Sequence, residues 1–364
     1  MNPSVTCDPP PSGTNLYAAS RSRRWLASFA AVIALAAALI CSVAMGPEGV
    51  NVRVSSVPVI IAGQLPGLKR LVRDNASEED RAIVWELRLP RALAAALIGA
   101  LLGYAGVALQ GLLMNPLADP YTVGVSAGAA VGMAFAEVSR LALLWAGMGG
   151  VGIAFVAALG AVALVYTLAR VGGRVSAQTF LLAGVVVSTM LWSMIPLLMT
   201  LARRMNDLER IFFYLIGNLQ QADWQKVWLL APFVLLSAIF LRLWARDLNL
   251  MTLGEESAAH LGVEIETFKR KVLLLGALAT AAAVSVSGII GFVGLVVPHL
   301  ARRIVGPDHR ALLPLAALLG ALLLVVSDTI VRVYLNDLPV GVITAIIGAP
   351  FFCVLLRRRR AVAW

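Results

Sequence analysis

The sequence predicts an all-α protein that crosses a membrane about ten times. Three observations carry this. Of 364 residues, 60% are hydrophobic and only 14% charged, against ~45–50% and ~25% in a soluble domain. Long charge-free stretches recur along the chain, several of them long enough for a span of ~20 residues. Clusters of arginine and lysine alternate with these stretches, as the positive-inside bias requires. The net charge of +10 is therefore read as membrane orientation, with no nucleic acid implied.

The elements follow in order. Residues 1–24 read as a disordered tail: Pro9-Pro10-Pro11, Ser12, Gly13, then Arg21, Arg23 and Arg24. Residues 25–364 read as one transmembrane domain. Trp25–Pro47 is charge-free, too long for a signal-peptide core, and reads as a retained signal anchor. A mixed-sign outer loop occupies roughly 48–91. Ala92–Ala118 and Tyr121–Ala136 flank a turn at Asn115-Pro116-Leu117-Ala118-Asp119-Pro120. Leu141–Ala169, Val175–Ala202 and Val227–Leu241 are single spans.

Val272–Ala301 is too long for one simple span and has basic clusters at both ends: Lys269-Arg270-Lys271 and Arg302-Arg303. Both clusters belong on one side, so the chain must go out and back. Gly288, Gly291 and Gly294 mark the turn. Non-helical backbone at that depth is tolerated only inside protein or along a wet cavity. Ala311–Ser327 and Leu338–Leu356 complete the set, and Arg357–Arg360 place the C-terminus in the cytoplasm with the N-terminus. Gly99/Gly103 and Gly124/Gly128/Gly132 carry small-residue spacing suited to close helix packing.

Enzyme chemistry is not legible. The four lysines (Lys69, Lys226, Lys269, Lys271) form no phosphate-binding loop, and His260, His299 and His309 have no metal-ligand spacing. Cys7, Cys41 and Cys353 are isolated. No cofactor, catalytic residue or metal site is expected. The spans are nearly free of carboxylates. Asp328 is the exception, and i,i+4 spacing pairs it with Arg332 near the outer surface. A pathway without its own energy source implies a partner that supplies one. The competing class is a secondary transporter, which needs ionisable groups deep in the membrane.

Between the sixth and seventh spans, Met251–Gly262 reads as a short cytoplasmic helix. Thr252 and Glu255 fit a capping box, and Gly262 suits the left-handed position past a helix end. It is either a tidy connector or a knob that a partner could grip.

Several stretches together resemble the FecCD-type iron-chelate and cobalamin permeases of ATP-binding-cassette importers. They are Trp85–Arg91, Gln110–Pro120, Gly124–Gly128, Leu253–Gly262, Gly291–His299, Gly306–Arg310, Leu338–Val342 and Gly348–Pro350. The resemblance implies a type II importer architecture with ten helices per subunit and a homodimer around a central pathway. It also implies two separate ATPase subunits that hold ATP and magnesium, a periplasmic substrate-binding protein, and a bacterial inner-membrane location. It puts binding-protein docking on Arg88, Arg91 and Arg332. It puts ATPase coupling on Gly254, Glu255, Ser257, Ala258, Leu261 and Gly262. The cytoplasmic gate falls at Ala177 and Gln178, where Ala177 stands in place of a frequent hydroxyl. The expected cargo is haem, with ferric siderophore and cobalamin as alternatives. Met199, Arg203 and Arg204, followed by Phe212-Phe213-Tyr214, could receive a flat ring with two propionates. Otherwise Arg203 and Arg204 pair with Asp207 and Glu209.

Overall fold

The computed structural model describes residues 13–47, 50–64, 76–144, 147–202 and 204–359. The chain is helical almost throughout. α1 (Gly13–Ala44) is followed by short α2 (Ser56–Gln64) and α3 (Glu78–Ala82). A π-helical turn, Ile83–Arg88, joins α3 to α4 (Leu89–Leu112). α5 (Val125–Val138) and α6 (Gly149–Ala169) lead to a two-stranded hairpin, β1 (Arg170–Val171) and β2 (Arg174–Val175). Then come α7 (Ala177–Leu201), α8 (Met205–Ile216), α9 (Trp224–Leu243), α10 (Ala245–Met251) and α11 (Glu255–His260). α12 (Ile265–Ser287), α13 (Val293–Val305), α14 (His309–Tyr334) and α15 (Val340–Arg359) close the chain.

Among the described residues, seven helices are long and apolar enough to cross a membrane. Val125–Val138 and Val340–Val354 are shorter apolar helices. With α13, these reproduce the out-and-back segments expected from the charge pattern. The protein is a multi-pass membrane protein. The expected tail is partly corrected: α1 begins at Gly13, and residues 1–12 lie outside the described residues. No glycine or proline interrupts Thr14–Met45, so nothing in the sequence stops the helix from extending back past Trp25.

α4 is the central helix, buried along most of its length. Its small residues explain how. A Cβ at Gly99 would fall on the carbonyl of Gly320 in α14, and one at Gly103 would meet Ala316. Backbone therefore meets backbone along this seam. Gly128 and Gly132 of α5 lie against Ala157, Ala158 and Ala161 of α6 in the same manner. Gly124 differs from its expected packing role: its φ of 90° places it in the turn before α5. Pro90 has no N–H and its ring would crowd the preceding turn. The wider π turn immediately before it supplies the room.

Two ends can be defined from contacts alone. At one end, Arg91 of α4 meets α14 and the turn after it. At the other, the start of α14 meets α10 and α1. These are called the arginine end and the α11 end. The 288–292 turn joins α12 to α13, with Gly288 at φ 69° and its peptide held by Tyr214 and Ser287 neighbours: Asn218 N–H donates to the Ser287 carbonyl (2.7 Å) and Ile289 N–H to that of Tyr214 (3.1 Å).

Candidate functional site

The arginine end begins with the C-terminus of α1. Helix ends leave carbonyls without intrahelical partners. Here two arginines from elsewhere fill them. Arg88 donates to the carbonyls of Val43 (3.1 Å), Ala44 (3.0 Å) and Val50 (2.6 Å). Arg332 donates to the carbonyls of Ser42 (2.5 Å) and Met45 (2.9 Å) and to the Ser42 hydroxyl (3.1 Å). Arg91 forks onto Asp328 at 2.8 to 3.1 Å and onto Asp337 at 2.5 and 3.1 Å. It thereby ties α4 to α14 and to the turn at Asn336-Asp337, where both residues have positive φ. All three arginines are buried, with residue exposures of 6%, 8% and 7% in chain order.

The three arginines expected at the docking face are thus each engaged within the chain. The expected Asp328–Arg332 pair is present, but as the longer of two contacts to that carboxylate. Arg332 Nε is 4.0 Å from Asp328, whereas Arg91, 237 residues away, takes the carboxylate bidentately. A planar fork matched to two oxygens outcompetes an oblique i,i+4 approach. Trp85, Trp224 and Trp228 pack in a row beside this end, and Trp224 Nε1–H donates to the Trp85 carbonyl (2.9 Å). Such a belt is typical of a membrane–water boundary.

A cavity of about 540 Å³ opens between α5, α6, α8 and the end of α12. Glu137, Glu209, Arg210, Asn218 and Lys226 give it a polar lining, and Arg210 pairs with Glu137 (3.6 Å). The residues expected to receive substrate are not in it. Met199 is half-buried in the last turn of α7, and Arg204 is exposed just before α8. Arg203 lies outside the described residues. Arg204 makes no ion pair among the described residues, so the pairing with Asp207 or Glu209 is not formed by it.

At the opposite end, α10 is pinned by Asn249. Its amide donates to Asp308 (2.9 Å), and its carbonyl oxygen accepts from the His309 N–H (2.9 Å). Arg24 of α1 reaches the same Asp308 (3.0 Å). Burial alone would raise the Asp308 carboxyl. The bonds from Asn249, the Arg310 N–H and Arg24 outweigh it and hold the group below the ordinary carboxylate range.

α11 follows as a separate short helix between Gly254 (φ 104°) and Gly262 (φ 91°). Its C-terminus is a Schellman motif. Gly262 N–H bonds the Ala259 carbonyl and Val263 N–H bonds that of Ala258, both at 3.0 Å. The expected capping box does not form. The Thr252 hydroxyl turns back to the Asn249 carbonyl (2.6 Å), and Glu255 is drawn to Lys269 (2.7 Å). A charge-assisted bond to an ammonium outweighs a bond to one backbone amide. Within the expected coupling set, Ser257, Leu261 and Gly262 are exposed and Gly254 and Glu255 half-buried. Ala258 is fully buried, so it packs the helix down and offers no surface to a partner. Leu253 and Leu261 are 64% and 55% exposed beside it, two apolar side chains at a charged end.

The expected gate lies next to this helix. Gly172 and Gly173 both have positive φ, the geometry of a two-residue hairpin turn, and Arg170 pairs with Val175. Ser176 caps α7 through the Thr179 N–H (3.1 Å). Ala177 is half-buried and Gln178 exposed in the first turn. Sequence reasoning used Lys269 only as an orientation charge. It is buried here and joins Glu255, Glu266 and Val175. The i,i+3 spacing of Glu266 and Lys269 was the available signal.

The FecCD transport family model matches residues 33–358. The chain belongs to that family. It is 39% identical to the cobalamin import system permease protein BtuC of Halobacterium salinarum, over 94% of this chain and 98% of that protein. It is 40% identical to the hemin transport system permease protein HmuU of Yersinia pestis, over 76% of this chain and 84% of that one. A solved structure described as an inward-facing metal-chelate type ABC transporter superposes with a TM-score of 0.77. That match has 28% identity and covers 91% of this chain and 98% of the other. The all-α polytopic fold of an ABC importer permease, read from the motifs, is thereby shown.

Proposed function

We propose that this chain is the translocation subunit of an ATP-driven importer in the cytoplasmic (inner) membrane, with both termini and α11 in the cytoplasm. Two copies enclose the pathway. Two ATPase subunits bind and hydrolyse ATP with magnesium, and the chain itself catalyses nothing. A soluble binding protein delivers cargo to the arginine end. There Arg88, Arg91 and Arg332 fix the docking face by holding α1, α4 and α14 together, instead of reaching across to the partner.

The observation that carries the reading is α11 itself. A six-residue helix between two positive-φ glycines, flanked by exposed Leu253 and Leu261, has the form of a knob for an apolar socket. The test is co-purification of the ATPase with a tagged permease. Leu261→Asp should abolish it while the variant purifies as well as wild type. Undiminished co-purification would reject α11 as the contact.

Haem is the favoured cargo. Its support is Arg204, exposed and free of an ion pair among the described residues at the α7–α8 junction, where a guanidinium could meet a propionate. Cobalamin is the second reading, favoured by the similarity that runs over 94% of the chain. Reconstituted vesicles offered haem, a ferric siderophore and cobalamin separately distinguish them. Preference for cobalamin would reject haem and leave the transporter class intact.

A further inference from the structure

Lys269 sits in the second turn of α12 and is 7% exposed. An ammonium has three N–H donors and tolerates burial only if they are used. All three find acceptors on three different segments. Nζ donates to Glu255 of α11 (2.7 Å), to Glu266 of α12 itself (3.4 Å) and to the backbone carbonyl of Val175 on β2 (3.0 Å). Glu266 then accepts the N–H of the same Val175 (3.2 Å). Both backbone groups of Val175 are therefore held by side chains of α12, and the same ammonium holds α11. Val175 immediately precedes Ser176, the cap of α7, and the turn Ala177-Gln178.

We propose that Lys269 is a positioning residue that transmits movement of α11 to the start of α7. The inference rests on the reading of α11 as the ATPase contact. The contrast with Asn249 gives it direction. Asn249 fastens α10 to the starts of α14 and to Asp308, which Arg24 of α1 also holds. α11 is thus anchored on one side to the packed helices and joined on the other, through one ammonium, to the hairpin. Displacing Glu255 displaces the charge that holds the Val175 carbonyl. A point charge on a flexible stem suits a joint between three segments better than a planar fork, which would fix one geometry.

The experiment uses the assembled importer in vesicles, with the three native cysteines replaced and a spin label at either Glu256→Cys on α11 or Arg174→Cys on β2. Both sites are exposed. In the wild-type background both labels should change mobility when ATP is added. With Lys269→Met, the α11 label should still respond, the β2 label should not, and uptake per ATP hydrolysed should fall at least tenfold. Lys269→Arg should restore part of the ratio. A purely structural lysine would lower yield and silence both labels together. Glu266→Ala removes the second hold on Val175 from a half-exposed side chain and should lower the ratio several-fold with the complex intact. Both labels responding in Lys269→Met, with uptake per ATP within twofold of wild type, would overturn the proposal. No response of the α11 label in the wild-type background would remove the docking reading, and the inference with it.

Discussion

Each end of the molecule holds a buried cation with two carboxylates, and the two arrangements differ in what they fasten. Arg91 joins two long helices that already meet backbone to backbone, and its inner partner Asp328 is 1% exposed. Lys269 joins a six-residue helix, the first turn of a long one and a hairpin, and its partners Glu255 and Glu266 are 39% and 33% exposed. The same charge chemistry gives a closed clamp in the first case and a joint in the second. The difference lies in the elements attached. A bidentate fork on packed helices has nowhere to go, whereas an ammonium on short segments can follow them.

The comparison is broken most severely at Asp328. Asp328→Ala leaves Arg91 buried with only the partly exposed Asp337. Removing one partner of a buried pair costs about 3–5 kcal/mol, reduced here by the remaining carboxylate. The thermal transition of the detergent-solubilised protein should fall sharply, and an unchanged transition would mean the end is not a clamp. Gly99→Leu comes next. Its side chain would drive into the Gly320 carbonyl, and overpacking typically costs ~1–3 kcal/mol. Gly262→Ala sharpens the other side: a positive φ with open space around it should cost only about 1 kcal/mol. Equal losses from Gly99→Leu and Gly262→Ala would erase the distinction between frame and joint.

The smallest effect concerns Asp308. Its carboxyl titrates lower in the folded chain than when free, so its contribution is present above the ordinary carboxylate range. It is lost as pH falls through the depressed value. Acidification to about pH 4 should leave the Arg24–Asp308 tie in place, and further acidification should weaken it. A melting series of wild type against Asp308→Asn should converge only at the acid end. Convergence at neutral pH would show that the tie carries nothing.

Most of the frame was legible in the sequence because its determinants are local. Charge-free runs fixed the spans, and basic clusters on both sides of Val272–Ala301 forced the turn that appears at 288–292. Glycine spacing marked the α4 seam, though not its partner Gly320. What could not be read was pairing at a distance. Asp328 keeps its partner four residues on at 4.0 Å, but the closer, bidentate one lies 237 residues away in a helix brought alongside by folding. Glu255 was legible as a cap because Thr252 precedes it by three. Only the fold shows Lys269 close enough to take it. Ala258 belonged to a motif, yet motif membership does not say which face of a six-residue helix is turned inward. α8 was not read as an element, because charges at Asp207, Glu209 and Arg210 interrupt its apolar residues.

The central claim is that this chain conducts cargo and draws its energy from a partner. Among the described residues Asp328 is the acidic residue with the least exposed surface, and it is committed to Arg91, while Asp119 is occupied in capping the turn before α5 through the Tyr121 N–H. A proton or sodium relay would need such a group to be free. The direct measurement is cargo uptake into vesicles containing the permease, its ATPase and the binding protein, with ATP or an ion gradient supplied separately. Uptake should require ATP on the α11 side and persist when an ionophore collapses every gradient. Uptake driven by a gradient without ATP, and stopped by the ionophore, would contradict the account.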